Sequence, residues 1–309
     1  MAVIDPPAAT GQTAATAAGA ARQTSSGGSA FRAVWWRHVL VWIAIAFALF
    51  PILFVLSAAL NPAGTLSTTS LLPKNVSVNN FDALFSDGAR PYLSWYKNSL
   101  IIAFVGSAIA VFIGACAAYA FSRLRFRGRR VGLLALLLLQ MFPALLAFVG
   151  LYITFSNVGE VLPKIGLNTI SGLVLAYLGG AMGANVWLLK GYFDTVPREL
   201  DEAARVDGAS HARIFFTVIM RLVTPILVTV FMISFVGLFG EFLLASIFLT
   251  DVNAQTLGVG LYGMTLGNES NSLYGEFAAG SVLAALPIMV LYLVFQRQLV
   301  SGLTQGSVK

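Results

Sequence analysis

The sequence has little charge. Of its 309 residues, 10% are charged and 58% are hydrophobic, and the mean hydropathy is +0.82. Soluble domains carry roughly a quarter charged residues, so a water-soluble globular chain is excluded. The chain has one cysteine, Cys116, inside an apolar run. An intrachain disulfide is therefore impossible, and space filling is its expected role. The two histidines, His38 and His211, lie far apart and neither has a metal-ligand companion at useful spacing, so no metal site is expected. None of the lysines (Lys74, Lys97, Lys164, Lys190, Lys309) stands in a GxxxxGK[ST] phosphate loop, and no serine stands in GxSxG. The chain is not its own ATPase, and no catalytic residues and no bound cofactor are expected. The paired interrupted spans of inverted-repeat carriers are also missing.

What is present is apolar length. Six runs, at 38–60, 98–121, 131–155, 170–189, 222–249 and 277–298, reach the roughly 20 residues needed to cross a bilayer. The expected fold class is an all-α membrane protein with six transmembrane helices. Basic residues set its orientation. With the N-terminus inside, Arg22, Arg32, Arg37, the Arg123–Arg130 run, Lys190, Arg198, Arg205, Arg213, Arg221, Arg297 and Lys309 all face the cytoplasm. Only Lys74, Arg90, Lys97 and Lys164 face outward. That asymmetry puts both termini in the cytoplasm. The net charge of +6 is thus topology information and not a nucleic-acid signal. The Arg123–Arg130 run reads as an anchor against anionic lipid.

The expected organisation has four parts. Residues 1–30, rich in Ala, Thr, Gly, Ser and Gln, read as a disordered cytoplasmic tail without a signal peptide. Residues 31–94 hold the first span and an extracellular segment with turn signals at Asn61-Pro62 and Asp87-Gly88. Residues 95–298 form the main transmembrane domain, and 299–309 a cytoplasmic C-terminal tail.

Within the main domain, Lys190–Pro225 is the longest charged interval. Pro197 suits a helix start and Gly208 a left-handed helix stop. Leu200, Ala203, Ala204 and Asp207 share one helical face by spacing. Arg198–Glu202 and Asp201–Arg205 are i, i+4 pairs on the other. A helix this short is marginal alone. Two readings fit: a knob for a groove on another protein, or a re-entrant or solvated loop helix.

Ionisable and polar residues inside spans are costly and often functional. Glu241 is the clearest, with Gln140 and Asn185 beside it as candidates for a substrate path. Tyr152 and Tyr177 suit sugar stacking or an interfacial aromatic belt. An ion-coupled carrier would have only Glu241 as its carboxylate. The outer segment 250–276 carries Asn253, Gln255, Asn268 and Asn271 with five glycines and no Lys or Arg. It reads either as a plain connector or as a contact for a soluble partner or sugar. Its glycines are expected to let it approach another surface.

Glu202-Ala203-Ala204, with Gly208 six residues after Glu202, resembles the EAA loop of binding-protein-dependent ABC importer permeases. Where that family continues with Ile, Leu and Pro, this chain has Val218, Met220 and Arg221, with Pro225 four residues on. The replacement of that proline predicts that the helix after this loop runs straighter than is usual in the family. AYAFSRLRF (118–126), QMFPALL (140–146), AYLGG (176–180), VWLLKGYF (186–193), DVNAQTLGVG (251–260) and LTQGSVK (303–309) are similar to the maltose/maltodextrin-type branch.

The resemblance implies a type I ABC importer permease fold in a bacterial inner membrane. It implies that 190–221 carries a cytoplasmic coupling helix seated in an ATPase cleft, with Leu200, Glu202, Ala203, Ala204, Asp207 and Gly208 as its coupling residues. It further implies a second permease chain, an ATPase dimer that binds ATP and Mg, an extracellular sugar-binding protein, and a maltose-like sugar as cargo. Trehalose or another disaccharide is the alternative cargo.

Overall fold

The structure is a computed structural model that describes residues 27–304 apart from Lys74, with side chains described over 35–299 apart from Lys74, Ala181, Met182 and Ala184. The tail expected at residues 1–30 falls outside the described residues as far as residue 26. The described chain divides between Leu53 and Phe54 into two compact units.

The first unit is the greater part of α1 (Gly27–Ala59), which carries Pro51 in its interior. Trp42, Phe47 and Ile52 are exposed on it. An apolar exterior of this kind belongs in lipid or against another apolar surface.

The second unit contains α2 (Asn79–Ser86), α3 (Tyr92–Arg123), α4 (Arg129–Gln140), α5 (Ala144–Val161), α6 (Ile170–Phe193), α7 (Glu199–Val206), α8 (His211–Arg213), α9 (Met220–Leu222), α10 (Thr224–Phe239), α11 (Leu243–Phe248), α12 (Leu257–Met264) and α13 (Tyr274–Thr304). A π-helical stretch, Ile214–Ile219, joins α8 to α9. No strand occurs among the described residues.

The central helix is α3, which packs chiefly against α6 and α10, while α10 also packs on α13. Small residues make this possible. Ala103, Gly106, Ser107, Ala110, Gly114, Ala115 and Ala118 are buried along α3 at three- and four-residue spacing. A Cβ on Gly106 would lie 2.8 Å from Leu238 Cδ1, so a larger residue there would force the Leu238 side chain to move.

Three apolar clusters follow α3. At its Tyr92 end, Trp95, Phe239, Leu257, Met264 and Ala278 pack together. At its Arg123 end, Tyr119, Phe193, Ile214, Phe215 and Val223 do so. Ile102 meets Leu173, Leu244 and Phe248 in the third.

Four helical stretches are long and apolar enough to span a membrane: Trp35–Ala59, Tyr92–Arg123, Ala144–Val161 and Tyr274–Leu299. Two further pairs are bent, Ile170–Gly180 with Asn185–Phe193 by 56° and His211–Leu222 with Thr224–Phe239 by 78°. Where a straighter run than usual was expected after the charged loop, the chain bends by 78° before the fifth span. Pro225 has no N–H to give the Arg221 carbonyl, and Val223 departs from helical geometry at φ −93°, ψ 3°. The expected third span also breaks, because α4 ends at Gln140 and α5 begins only after Pro143. The fifth stops at Phe239, and Gly240–Phe242 redirect the chain into α11.

The segment 250–276 is not the open loop that its composition suggested. It contains α12, whose Leu257 and Met264 are each 2% exposed. A Cβ on Gly260 would lie 2.2 Å from the Trp95 ring, so this glycine serves an internal approach and not an external one. Trp95 Nε1 donates to Val252 O at 2.6 Å, and Asn98 Nδ2 donates to the carbonyls of Asn253 and Gln255 at 2.9 and 3.0 Å. Asn168, at φ 57°, accepts from the backbone N–H of Thr250 and Asp251 at 2.7 and 2.9 Å. Only residues 265–273 remain as a turn-rich tip.

Candidate functional site

Two places gather the sequence-predicted residues: the charged interval at the Arg123 end of α3, and a cavity beside α6.

In the charged interval, α7 begins at Glu199, two residues after the proline expected to start it. Its stop is as the sequence predicts. Gly208 takes φ +78°. Gly208 N donates to Arg205 O and Ala209 N to Ala204 O, each at 2.9 Å. These bonds form a Schellman motif, which needs a residue without Cβ penalty at the left-handed position. Ser210 Oγ then caps the next helix by accepting from Arg213 N at 3.3 Å.

The faces of α7 differ from the expected ones. Leu200, Glu202, Ala203, Val206 and Asp207 are exposed, while Ala204 is half-buried in the second core cluster. Asp201 turns inward to pair with Arg123 and not with Arg205, and Arg198 donates to Ser122 O and does not pair with Glu202. The outward edge is Leu200, Ala203 and Val206, the last 89% exposed. Such an edge has no intramolecular partner and suits a groove on a second protein. On its flank Glu202, Arg125, Arg198, Arg205 and His211 line an open cavity of about 780 Å³.

The end of α6 is fixed to the same corner. Ser122 Oγ donates to Asp194 Oδ1 at 2.6 Å, and Lys190 Nζ reaches Asp194 Oδ2 at 2.5 Å. Burial pushes the Asp194 carboxyl upward, but the bonds from Lys190 and Ser122 and the charge of Lys190 outweigh it, leaving a net lowering.

The cavity beside α6 has a volume of about 620 Å³ and is lined by Gln140, Tyr177 and Glu241 among apolar residues that include Leu139, Phe142 and Phe148. Three of the five candidates for the substrate path thus share one space. Asn185 is elsewhere, donating to Ser234 Oγ at 3.5 Å across α6 and α10. It lines a smaller hollow of about 210 Å³ with Tyr177. Tyr152 is exposed on α5 and lines neither.

Glu241 is fully engaged. Its Oε1 accepts from Leu244 N at 2.9 Å and its Oε2 from Ala245 N at 3.1 Å, so it caps α11. Tyr177 Oη also donates to Oε2. A carboxylate held by two backbone N–H groups and a phenol has a structural task, while it also lines the cavity.

Among the four outer-segment candidates, Asn253 and Asn268 expose their side chains and Gln255 is half-buried. Asn271 Oδ1 accepts from Ser67 N at 3.1 Å and its carbonyl from Leu66 N, also at 3.1 Å, so it ties the tip to the 61–78 segment. Trp95, Asn98 and Asn168 went unpredicted, and Asp201 and Arg123, read from the sequence as a partner of Arg205 and a lipid anchor, pair with each other instead. Of these only Asn168 carried a local signal, since asparagine tolerates the left-handed region and stands just before the helix-capping Thr169.

The model of the family described as binding-protein-dependent transport system inner membrane component matches residues 106–305. The chain belongs to this family. Curated relatives are similar along nearly their whole length. The chain is 42% identical to the maltose/maltodextrin transport system permease protein MalG of Vibrio vulnificus (strain YJ016), covering 89% of this chain and 96% of that one. The identity is 44% with MalG of Photorhabdus laumondii, over 88% and 94%, and 41% with MalG of Escherichia coli (strain K12), over 88% and 94%.

Among solved structures, a chain of a bacterial ABC transporter involved in the import of the acidic polysaccharide alginate matches with TM-score 0.73 and 23% identity, over 89% of this chain and 99% of that one. A second, from a bacterial alginate ABC transporter in complex with alginate pentasaccharide-bound periplasmic protein, gives TM-score 0.62 at 15% identity, over 86% and 94%. At those identities the likeness is one of fold: this inner-membrane component has the helical architecture of ABC importer permeases. Its family transports, and does not itself perform catalysis.

Proposed function

We propose that this chain is one of two permease subunits of an ATP-driven importer for maltose- or maltodextrin-like sugars. The observation that carries the reading is the outward Leu200–Ala203–Val206 edge of α7 in a chain 39–44% identical to MalG permeases. In this reading α7 is the coupling helix and sits in a groove of an ATPase dimer, which binds the ATP and Mg. Each bent pair crosses the membrane once, giving six spans with both termini cytoplasmic. ATP-driven closure of the ATPase moves α7, and the spans rock between inward and outward openings. A sugar-binding protein delivers cargo at the opposite face, where the 265–273 tip is exposed.

The test is reconstitution of the full complex with its second permease, ATPase and binding protein in vesicles. ATP alone is expected to drive uptake of maltose and maltotriose. Uptake of trehalose in their place would overturn the cargo assignment. Uptake driven by a proton or sodium gradient without ATP would overturn the mechanism.

A further inference from the structure

One buried ion pair joins the charged interval to the end of α3. Arg123, the last residue of α3, pairs with Asp201 of α7 at 2.6 Å, and their side chains are 3% and 5% exposed. Arg123 Nη2 also donates to Val196 O at 2.7 Å, and Nη1 to Ser122 Oγ at 3.3 Å. Arg198 Nη2 donates to Ser122 O at 3.4 Å. One guanidinium thus grips the end of α3, the link that follows α6, and the inner side of α7.

Burying two charges costs desolvation that their attraction only partly offsets, so the pair is weak as a stabiliser. What it does supply is direction. On the chain, α7 is joined to its neighbours through two non-helical links, 194–198 and 207–210. A push on α7 would be absorbed where those links flex. Besides the packing of α7 on the π-helical stretch Ile214–Ile219 and the second core cluster and the Arg198 bond to Ser122 O, the Arg123–Asp201 pair is the ionic tie between α7 and α3. The Nη1 and Nη2 donors to Ser122 Oγ and Val196 O set the plane of the guanidinium, as a lysine ammonium would not; its Nε meets Asp201 Oδ2 as an ion pair without hydrogen-bond geometry, and Asp201 Oδ1 has no hydrogen-bond partner.

We infer that Arg123 is a positioning residue that makes α7 move as one body with α3, so that displacement of α7 reaches the central transmembrane helix. The inference rests on the coupling-helix reading above.

The experiment uses the reconstituted complex with Arg123→Gln, Arg123→Lys, Asp201→Asn and the charge exchange Arg123→Asp with Asp201→Arg. Three quantities are read: ATPase co-purified, ATP hydrolysed, and sugar imported per ATP. In Arg123→Gln and Asp201→Asn, co-purified ATPase and hydrolysis are expected to stay within about twofold while sugar per ATP falls about tenfold, the scale of an intersite coupling. Arg123→Lys is expected to fall between these and the unaltered complex, and the exchange to recover part of the ratio. Single variants with an unchanged ratio would overturn the inference. So would single variants that lose the ATPase altogether with no recovery in the exchange, since the pair would then only hold the fold. If the unaltered complex imports nothing with ATP, the coupling-helix reading itself fails.

Discussion

Ala203 and Ala204 are adjacent in sequence and opposite in surroundings. Ala203 is exposed on the outer edge of α7, and Ala204 packs into the core at the Arg123 end of α3. Ala203→Trp is therefore expected to leave membrane insertion and yield intact but to block seating of α7, lowering uptake by about tenfold or more as a bulky side chain at an interface centre does. Uptake set against expression level checks it, and full uptake in a well-expressed variant would sink the coupling role. Glu241 carries a different expectation. Removing its carboxylate strips the cap from Leu244 N and Ala245 N. Glu241→Ala is expected to cost about 1 kcal/mol, the usual scale for a lost helix cap. Thermal unfolding of the purified complex measures this. Uptake should stay driven by ATP and indifferent to proton or sodium gradients, and a gradient-dependent loss would restore an ion-coupling role.

At the scale of elements, the outer segment shows how composition misleads. Asparagines, glycines and acidic residues in 250–276 read as a flexible loop, yet α12 lies in its middle. Its apolar residues Leu257, Leu261 and Met264 find Trp95 and Ala278 in the fold. Eight residues of helix are too few to announce themselves by periodicity. Asn98 and Asn168 hold its first part through backbone groups. What remains free is the tip, where Asn268 and Glu269 are exposed. Replacing 265–270 with a Ser/Gly linker of equal length spares Met264 and the Asn271–Ser67 bond. This change is expected to abolish ATPase stimulation by sugar-loaded binding protein while basal hydrolysis persists. Stimulation at the normal level with the linker in place would make the tip a mere connector.

At the scale of the whole molecule, the distribution of basic residues predicts that α7 and the 265–273 tip lie on opposite sides of the membrane. In a Cys116→Ser background, Asn268→Cys is expected to react with an impermeant thiol reagent on intact cells. Asp207→Cys should react only after the membrane is opened. Both positions are exposed, so the comparison is of sidedness alone, and the reverse pattern would invert the orientation.

The sequence by itself determined that the chain is helical and membrane-embedded, because low charge and long apolar runs leave no other solution for the backbone in lipid. It determined the Gly208 stop, because a left-handed residue at a helix end is a local requirement. It also carried the Glu202-Ala203-Ala204 pattern, which lies within the residues that match the family. Tertiary structure decided the rest. Which alanine of α7 faces outward depends on where Arg123, far away in sequence, meets Asp201. That Glu241 caps a helix depends on the turn at Gly240–Phe242, and the bend before α10 on Pro225 outweighing the absence of a proline at 221. The first is an outcome of packing between distant segments, which neither spacing nor composition encodes; the cap and the bend act within four residues, and their outcome depends on the backbone path that the surrounding fold selects.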